Sequence, residues 1–153
     1  MFRTRLLAIG GAAAAALALA VPSTMTSAAT PAEMIAQRQA LMDLQGATAT
    51  AVQSALKAGD IATAGKLAAA LHSSAHVIPT FFDKGTGAEA GKTRALPVIW
   101  EKWDDFKADA AALGAAADKL VAAGKAGDTA AGNAAFAELG KACGSCHNTF
   151  RAR

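Results

Sequence analysis

Cys143-Gly144-Ser145-Cys146-His147 constrains this chain more than any other stretch, because it dictates a partner as well as a local shape. Two cysteines separated by two residues and followed at once by histidine form the attachment signature of a c-type haem. Each thiol adds across one porphyrin vinyl group to give a thioether. One helical turn between the cysteines matches the separation of the two vinyls. The histidine that follows is placed to be the proximal axial ligand of the iron. These are the only two cysteines of the chain, so no further thiol is available for a zinc or iron–sulfur site. A redox disulfide of the C-x-x-C kind would sit at a strand-to-helix junction, and no segment here alternates with the period of a strand. The motif therefore predicts one haem c, attached through Cys143 and Cys146 and ligated by His147.

The other end of the chain predicts where that attachment happens. Residues 1–29 read as a cleaved secretory signal peptide. Arg3 and Arg5 form a positive start, Leu6 to Val21 an alanine-rich apolar run, and Ser27-Ala28-Ala29 a small-residue cleavage site. The apolar run has 16 residues, short of the roughly 20 a membrane-spanning helix needs. Export to the periplasm is the expectation, with no membrane span in the mature form, residues 30–153. Losing Arg3 and Arg5 takes Lys+Arg from 15 to 13, against 12 Asp+Glu that all remain. With that balance and no basic cluster, the sequence predicts no nucleic-acid face.

Pattern and breakers divide the mature chain into four helical segments. Thr30-Pro31-Ala32-Glu33 is a capping box with proline at the first helical position, opening a helix to about Ala58. Gly59-Asp60 is a turn and a fresh cap, and the second helix runs to about Thr80, disturbed by Pro79. Asp83 to Ala95 holds Gly85, Gly87 and Gly91 and reads as the one long loop. Pro97 opens a third helix carrying Trp100, Trp103 and Phe106. Gly124 to Gly127 breaks it, and Asp128 caps a fourth that carries the cysteine motif. Four such helices with mostly short links predict an all-α, antiparallel up-down-up-down four-helix bundle. The alanine-rich composition makes its core thin, so a buried porphyrin would supply much of the missing apolar contact.

In that bundle the start of the first helix lies beside the end of the last. Met34, Arg38 and Met42 are spaced i, i+4, i+8 and share a face at the level of His147. A thioether can be a sixth iron ligand and a guanidinium suits a haem propionate. Met34 reads as core packing; for Met42, core packing and iron ligation both stay open. His72 and His76 have a spacing that could hold a metal, but no acid or thiol is close to them in sequence, so they read as a solvated pair. Trp100 and Trp103 read as packing anchors. Glu101, Asp104, Asp105 and Asp109 read as the wet face of the third helix. No nucleophile–base pairing is evident, so the chain reads as a haem-binding protein and not an enzyme.

The chain resembles the class II c-type cytochromes, the family of cytochrome c′ and its low-spin, methionine-ligated relatives. The resemblance rests on Arg38-Gln39-Ala40-Leu41-Met42, Phe82-Asp83-Lys84-Gly85-Thr86, Pro97-Val98-Ile99-Trp100, Ala123-Gly124-Lys125-Ala126-Gly127-Asp128 and the run Gly140 to Arg151. It implies the four-helix bundle, for which cytochrome c′ is a standard example. In one branch it implies a five-coordinate iron that binds nitric oxide or carbon monoxide, often in a homodimer built through the first two helices. In the other, a methionine at the position of Met42 binds the iron, and the protein passes electrons to redox partner proteins. It also implies that Arg38 and Arg151 flank the haem, near the propionates and beside the proximal imidazole. The expectation is a periplasmic monohaem electron carrier, with the gas-binding cytochrome c′ as the alternative.

Overall fold

The computed structural model describes residues 28–153. The signal-peptide expectation falls almost wholly outside them. Helix α1 spans Pro31–Lys57, α2 spans Ile61–Val77, α3 is the single turn Val98–Glu101, α4 spans Trp103–Ala126 and α5 spans Thr129–Phe150. The four long helices α1, α2, α4 and α5 form the bundle.

The helix starts are written in side-chain chemistry. Thr30 and Glu33 close the capping box reciprocally, while Asp60 and Asp128 accept from the backbone N–H of Thr63 and Ala131, each at 2.9 Å. Glycine makes the two tight corners. Gly59 and Gly127 have φ of +74° and +71°, a left-handed conformation that costs other residues a steric clash.

Two elements differ from the sequence expectation. The second helix ends at Val77 and tightens into a 3-10 turn, Ile78–Phe81, because Pro79 has no N–H to continue the ladder. The third helix is not continuous from Pro97. It breaks at Lys102 (φ −114°, ψ 49°), so that α3 and α4 have separate axes. Trp100 and Trp103 serve different partners. The Trp100 indole donates to the carbonyls of Phe82 (2.8 Å) and Asp83 (3.2 Å), whereas Trp103 stacks on Phe106.

The most extensive helix contact is α2 on α4, and it is built from small residues. Ala64, Ala68, Ala75, Ala110, Ala117 and Ala123 are all buried. Gly65 and Gly124 meet backbone to backbone, so that a Cβ on Gly65 would stand 2.8 Å from Gly124 Cα. The bulky side chains gather at the other side of this sheet of alanines. Phe82, Phe106 and Phe150 pack edge to face at 4.7 and 5.3 Å between ring centres, with Leu71, Ile99 and Leu139 around them. Helices α1 and α5 touch along only a short stretch. The space between them opens onto this aromatic floor. None of the described helices is long and apolar enough to cross a membrane.

Candidate functional site

A cavity of about 880 Å³ lies between α1 and α5, floored by Leu71, Ile99, Phe106, Leu113 and Leu139. Its walls bring together residues more than a hundred positions apart. Arg38 and Met42 line it from α1; Cys143, Cys146 and His147 line it from the last turns of α5, with Arg151 just beyond. Met34, on the same stripe of α1, does not line it.

The end of α5 is held in place by the long loop. Ala95 and Arg151 form an isolated antiparallel bridge. The N–H of Leu96 donates to Phe150 O at 3.0 Å and that of Ala152 to Arg94 O at 2.8 Å. This strap brings Arg94 to the cavity wall beside His147, and Lys92 joins them. Burial, then the charges of Arg151 and Arg94, push the imidazole pKa below its ordinary value. The neutral ring is the form that ligates a metal. Burial raises the Cys143 thiol, and burial followed by the charges of Asp109 and Cys143 pushes Cys146 up to about 12. Both sulfurs are therefore neutral groups on a largely apolar wall.

Arg38 does more than face the cavity. The residue is 3% exposed and its guanidinium fork is already engaged. Nη1 donates to Thr86 Oγ1 at 3.0 Å, and Nη2 donates to Thr86 O and Thr93 Oγ1, each at 2.7 Å. The cation also lies 4.8 Å from the centre of the Phe82 ring. Arg38 thus clamps both ends of the glycine-bearing loop onto α1, and Gln39 adds a bond from Nε2 to Lys92 O at 3.0 Å. Burial lowers the guanidinium pKa and the nearby Glu89 raises it; arginine stays charged in either case.

Gln45, Lys92 and Arg94, which no sequence signal was used to place, also line the cavity, as does Asp109, which the sequence placed on a wet face. Gln45 carried a usable signal: it is three residues past Met42 and continues the same helical face. It is buried, and its Nε2 donates to Ser74 Oγ at 2.9 Å. Asp109 accepts from Ser145 Oγ at 3.2 Å, so this acid borders the site instead of belonging to a purely wet face. Lys92 and Arg94 lie in the aperiodic loop, where no pattern marks them.

The donor set and shape fit a haem. The volume is near the upper end of the range for small-molecule sites. Two thiols one turn apart and an adjacent imidazole occupy one wall, the floor is aromatic and aliphatic, and Lys92, Arg94, Arg151 and Arg38 supply positive charge for propionates. The chain matches the family described as cytochrome c′ over residues 33–151. It belongs to the cytochrome c′ family. It is 46% identical to a cytochrome c′ of Pararhodospirillum photometricum over 90 residues, 59% of this chain and 71% of that one. The crystal structure of cytochrome c′ from Rubrivivax gelatinosus superposes with a TM-score of 0.71 at 34% identity, covering 80% of this chain and 97% of that one. A nitric oxide complex of a variant cytochrome c′ from Alcaligenes xylosoxidans gives a TM-score of 0.73 at 27% identity, covering 83% and 100%. Cytochrome c′ proteins bind one covalently attached haem c.

Proposed function

We propose that the mature chain is a periplasmic monohaem electron carrier. Cys143 and Cys146 hold the haem, His147 is the proximal ligand, and Met42 is the sixth. The haem supplies a one-electron couple when bound. The chain fixes its orientation through two adjacent thiols, keeps His147 neutral, surrounds the ring with apolar side chains, and sets positive charge at the cavity rim. The observation that carries the reading is that Met42, the one methionine lining the cavity, approaches from α1 while the cysteine–histidine motif approaches from α5. A thioether is long and flexible enough to span such a gap. Redox partner proteins would dock where the haem edge is most accessible. A homodimer through α1 and α2 is the assembly that the family resemblance implies.

A second reading is favoured by one specific observation. A variant of a structural neighbour forms a nitric oxide complex, and a cavity with Met42 unbound would equally suit a five-coordinate iron open to small gases. Optical spectra of the oxidised and reduced protein separate the two. Ligation by Met42 predicts a low-spin spectrum with a sulfur-to-iron charge-transfer band in the near infrared, and slow carbon monoxide binding. Met42→Ala then gives a high-spin, gas-accessible form with a lower reduction potential. A wild-type protein that is already high-spin, and barely changes in Met42→Ala, transfers the function to gas binding.

A further inference from the structure

We propose that His72 and His76 form a second metal site, at the edge of the α2–α4 contact and apart from the haem cavity, that takes a divalent transition metal of the copper type. The two residues stand i, i+4 on one helix. Their Nε2 atoms are 3.2 Å apart, with ring centres at 4.6 Å and an interplanar angle of 73°. Two nitrogens bound at about 2.0–2.1 Å to one ion lie about 2.9 Å apart at the right angle of a tetragonal Cu(II) site and about 3.3 Å apart at a tetrahedral angle. The pair is thus already at the separation that joint ligation requires.

The acid that the sequence seemed to lack comes from another helix. Asp118 on α4 places Oδ1 2.8 Å from His72 Nδ1, and the carbonyl of Gly114 lies 3.4 Å from the same nitrogen. A carboxylate and a carbonyl can only accept, so Nδ1 of His72 carries a proton, and in the neutral ring Nε2 then presents a lone pair. This carboxylate–histidine arrangement is the support that metal-ligating histidines characteristically have, fixing the tautomer and the orientation of the ring. Before metal arrives, His76 Nε2–H can donate to His72 Nε2. On binding, His76 moves that proton to its own Nδ1, and no net proton leaves the pair.

The His72 side chain is 32% exposed and Asp118 61% exposed, so the ring is anchored yet reachable from solvent. Neither histidine lines the haem cavity. Among the described residues no third histidine, cysteine or carboxylate completes a larger ligand group, so water or an added ligand takes the remaining positions. Imidazole donors with open positions bind Cu(II) more tightly than Zn(II).

The test uses the haem-loaded protein and Cu(II) alone, with Zn(II) in parallel, by equilibrium dialysis and pulsed electron paramagnetic resonance at the copper signal. The expected result is one Cu(II) per chain, coupled to two imidazole nitrogens and bound more tightly than Zn(II). His72→Ala and His76→Ala each weaken binding by at least about tenfold and leave one coupled nitrogen, and Asp118→Asn weakens it by about tenfold with both nitrogens retained. The haem spectrum, unchanged in all three, shows that the bundle is intact. Copper binding that survives the double His72→Ala/His76→Ala variant at wild-type affinity, or wild-type protein that retains none, overturns the site. Unchanged affinity in Asp118→Asn removes Asp118 as its positioning residue.

Discussion

Arg38 is the one lysine or arginine buried among the described residues, and two consequences of its position can be separated by substitution. The charge sits at the wall of the haem cavity, where it disfavours the more positive, oxidised iron. The fork holds Thr86 and Thr93, and with them the loop. Arg38→Gln removes both the charge and the fork. We expect a lower reduction potential and a loss of about 2–3 kcal/mol in stability, because charge-assisted bonds to buried partners are broken. Arg38→Lys keeps the charge but cannot reproduce a two-nitrogen fork, so it retains most of the potential while losing much of the stability. Redox titration and thermal melts of the two variants check this, and equal potentials in wild type and Arg38→Gln would confine Arg38 to the loop. Only half of this role was legible in the sequence. The i, i+4 spacing with Met42 put Arg38 on the cavity face. Its partners Thr86 and Thr93 lie in a glycine-bearing loop without period, where no sequence rule reports who meets whom. Asp118 was hidden from His72 for a similar reason, because contacts across 46 positions depend on how α2 and α4 pack.

The packing of those two helices is decided by glycine and alanine. Helix axes usually lie 8–10 Å apart, and the smallest side chains permit the closest approach. At Gly65 the approach is close enough to exclude any side chain, since its missing Cβ would meet backbone on α4 instead of a side chain that could swing away. Gly65→Ala therefore forces α2 and α4 apart, with an expected cost of about 1–3 kcal/mol. Gly140 on α5 is the matched control. Nothing lies within 4 Å of its missing Cβ, so Gly140→Ala is expected to stabilise by about 0.5–1 kcal/mol through helix propensity. Chemical denaturation of both variants gives the comparison, and a neutral Gly65→Ala would mean that the helices separate freely. At this scale the sequence was informative wherever a cap or corner carried its own chemistry, as at Thr30, Asp60, Gly127 and Asp128. It was silent on the break at Lys102, where neither glycine nor proline marks the non-helical backbone.

For the molecule as a whole, the thin alanine core and the large cavity are one problem. The cavity of about 880 Å³ is open to solvent on one side, so without haem water wets an apolar wall whose burial would otherwise stabilise the fold at about 25 cal/mol per Å². Without its haem the bundle must flood the cavity or collapse into it, and the wall of Phe82, Phe106 and Leu139 loses its packing partner in either event. Haem binding and the folding of this side of the molecule are therefore coupled, whereas the α2–α4 seam of small residues is complete without it. The double variant Cys143→Ala/Cys146→Ala exposes that coupling. It is expected to lose covalent haem on denaturing gels and to retain much of its helical far-ultraviolet signal. It loses the near-ultraviolet bands of Trp100 and Trp103, which pack at the edge of the emptied wall, and melts broadly instead of cooperatively. Hydrogen exchange should then show α1 and the end of α5 opening first, with the α2–α4 seam protected longest. Covalent haem persisting in the double variant would refute attachment at these cysteines. A haem-free chain that still melted sharply at the wild-type temperature would show that the alanine seam alone stabilises the fold.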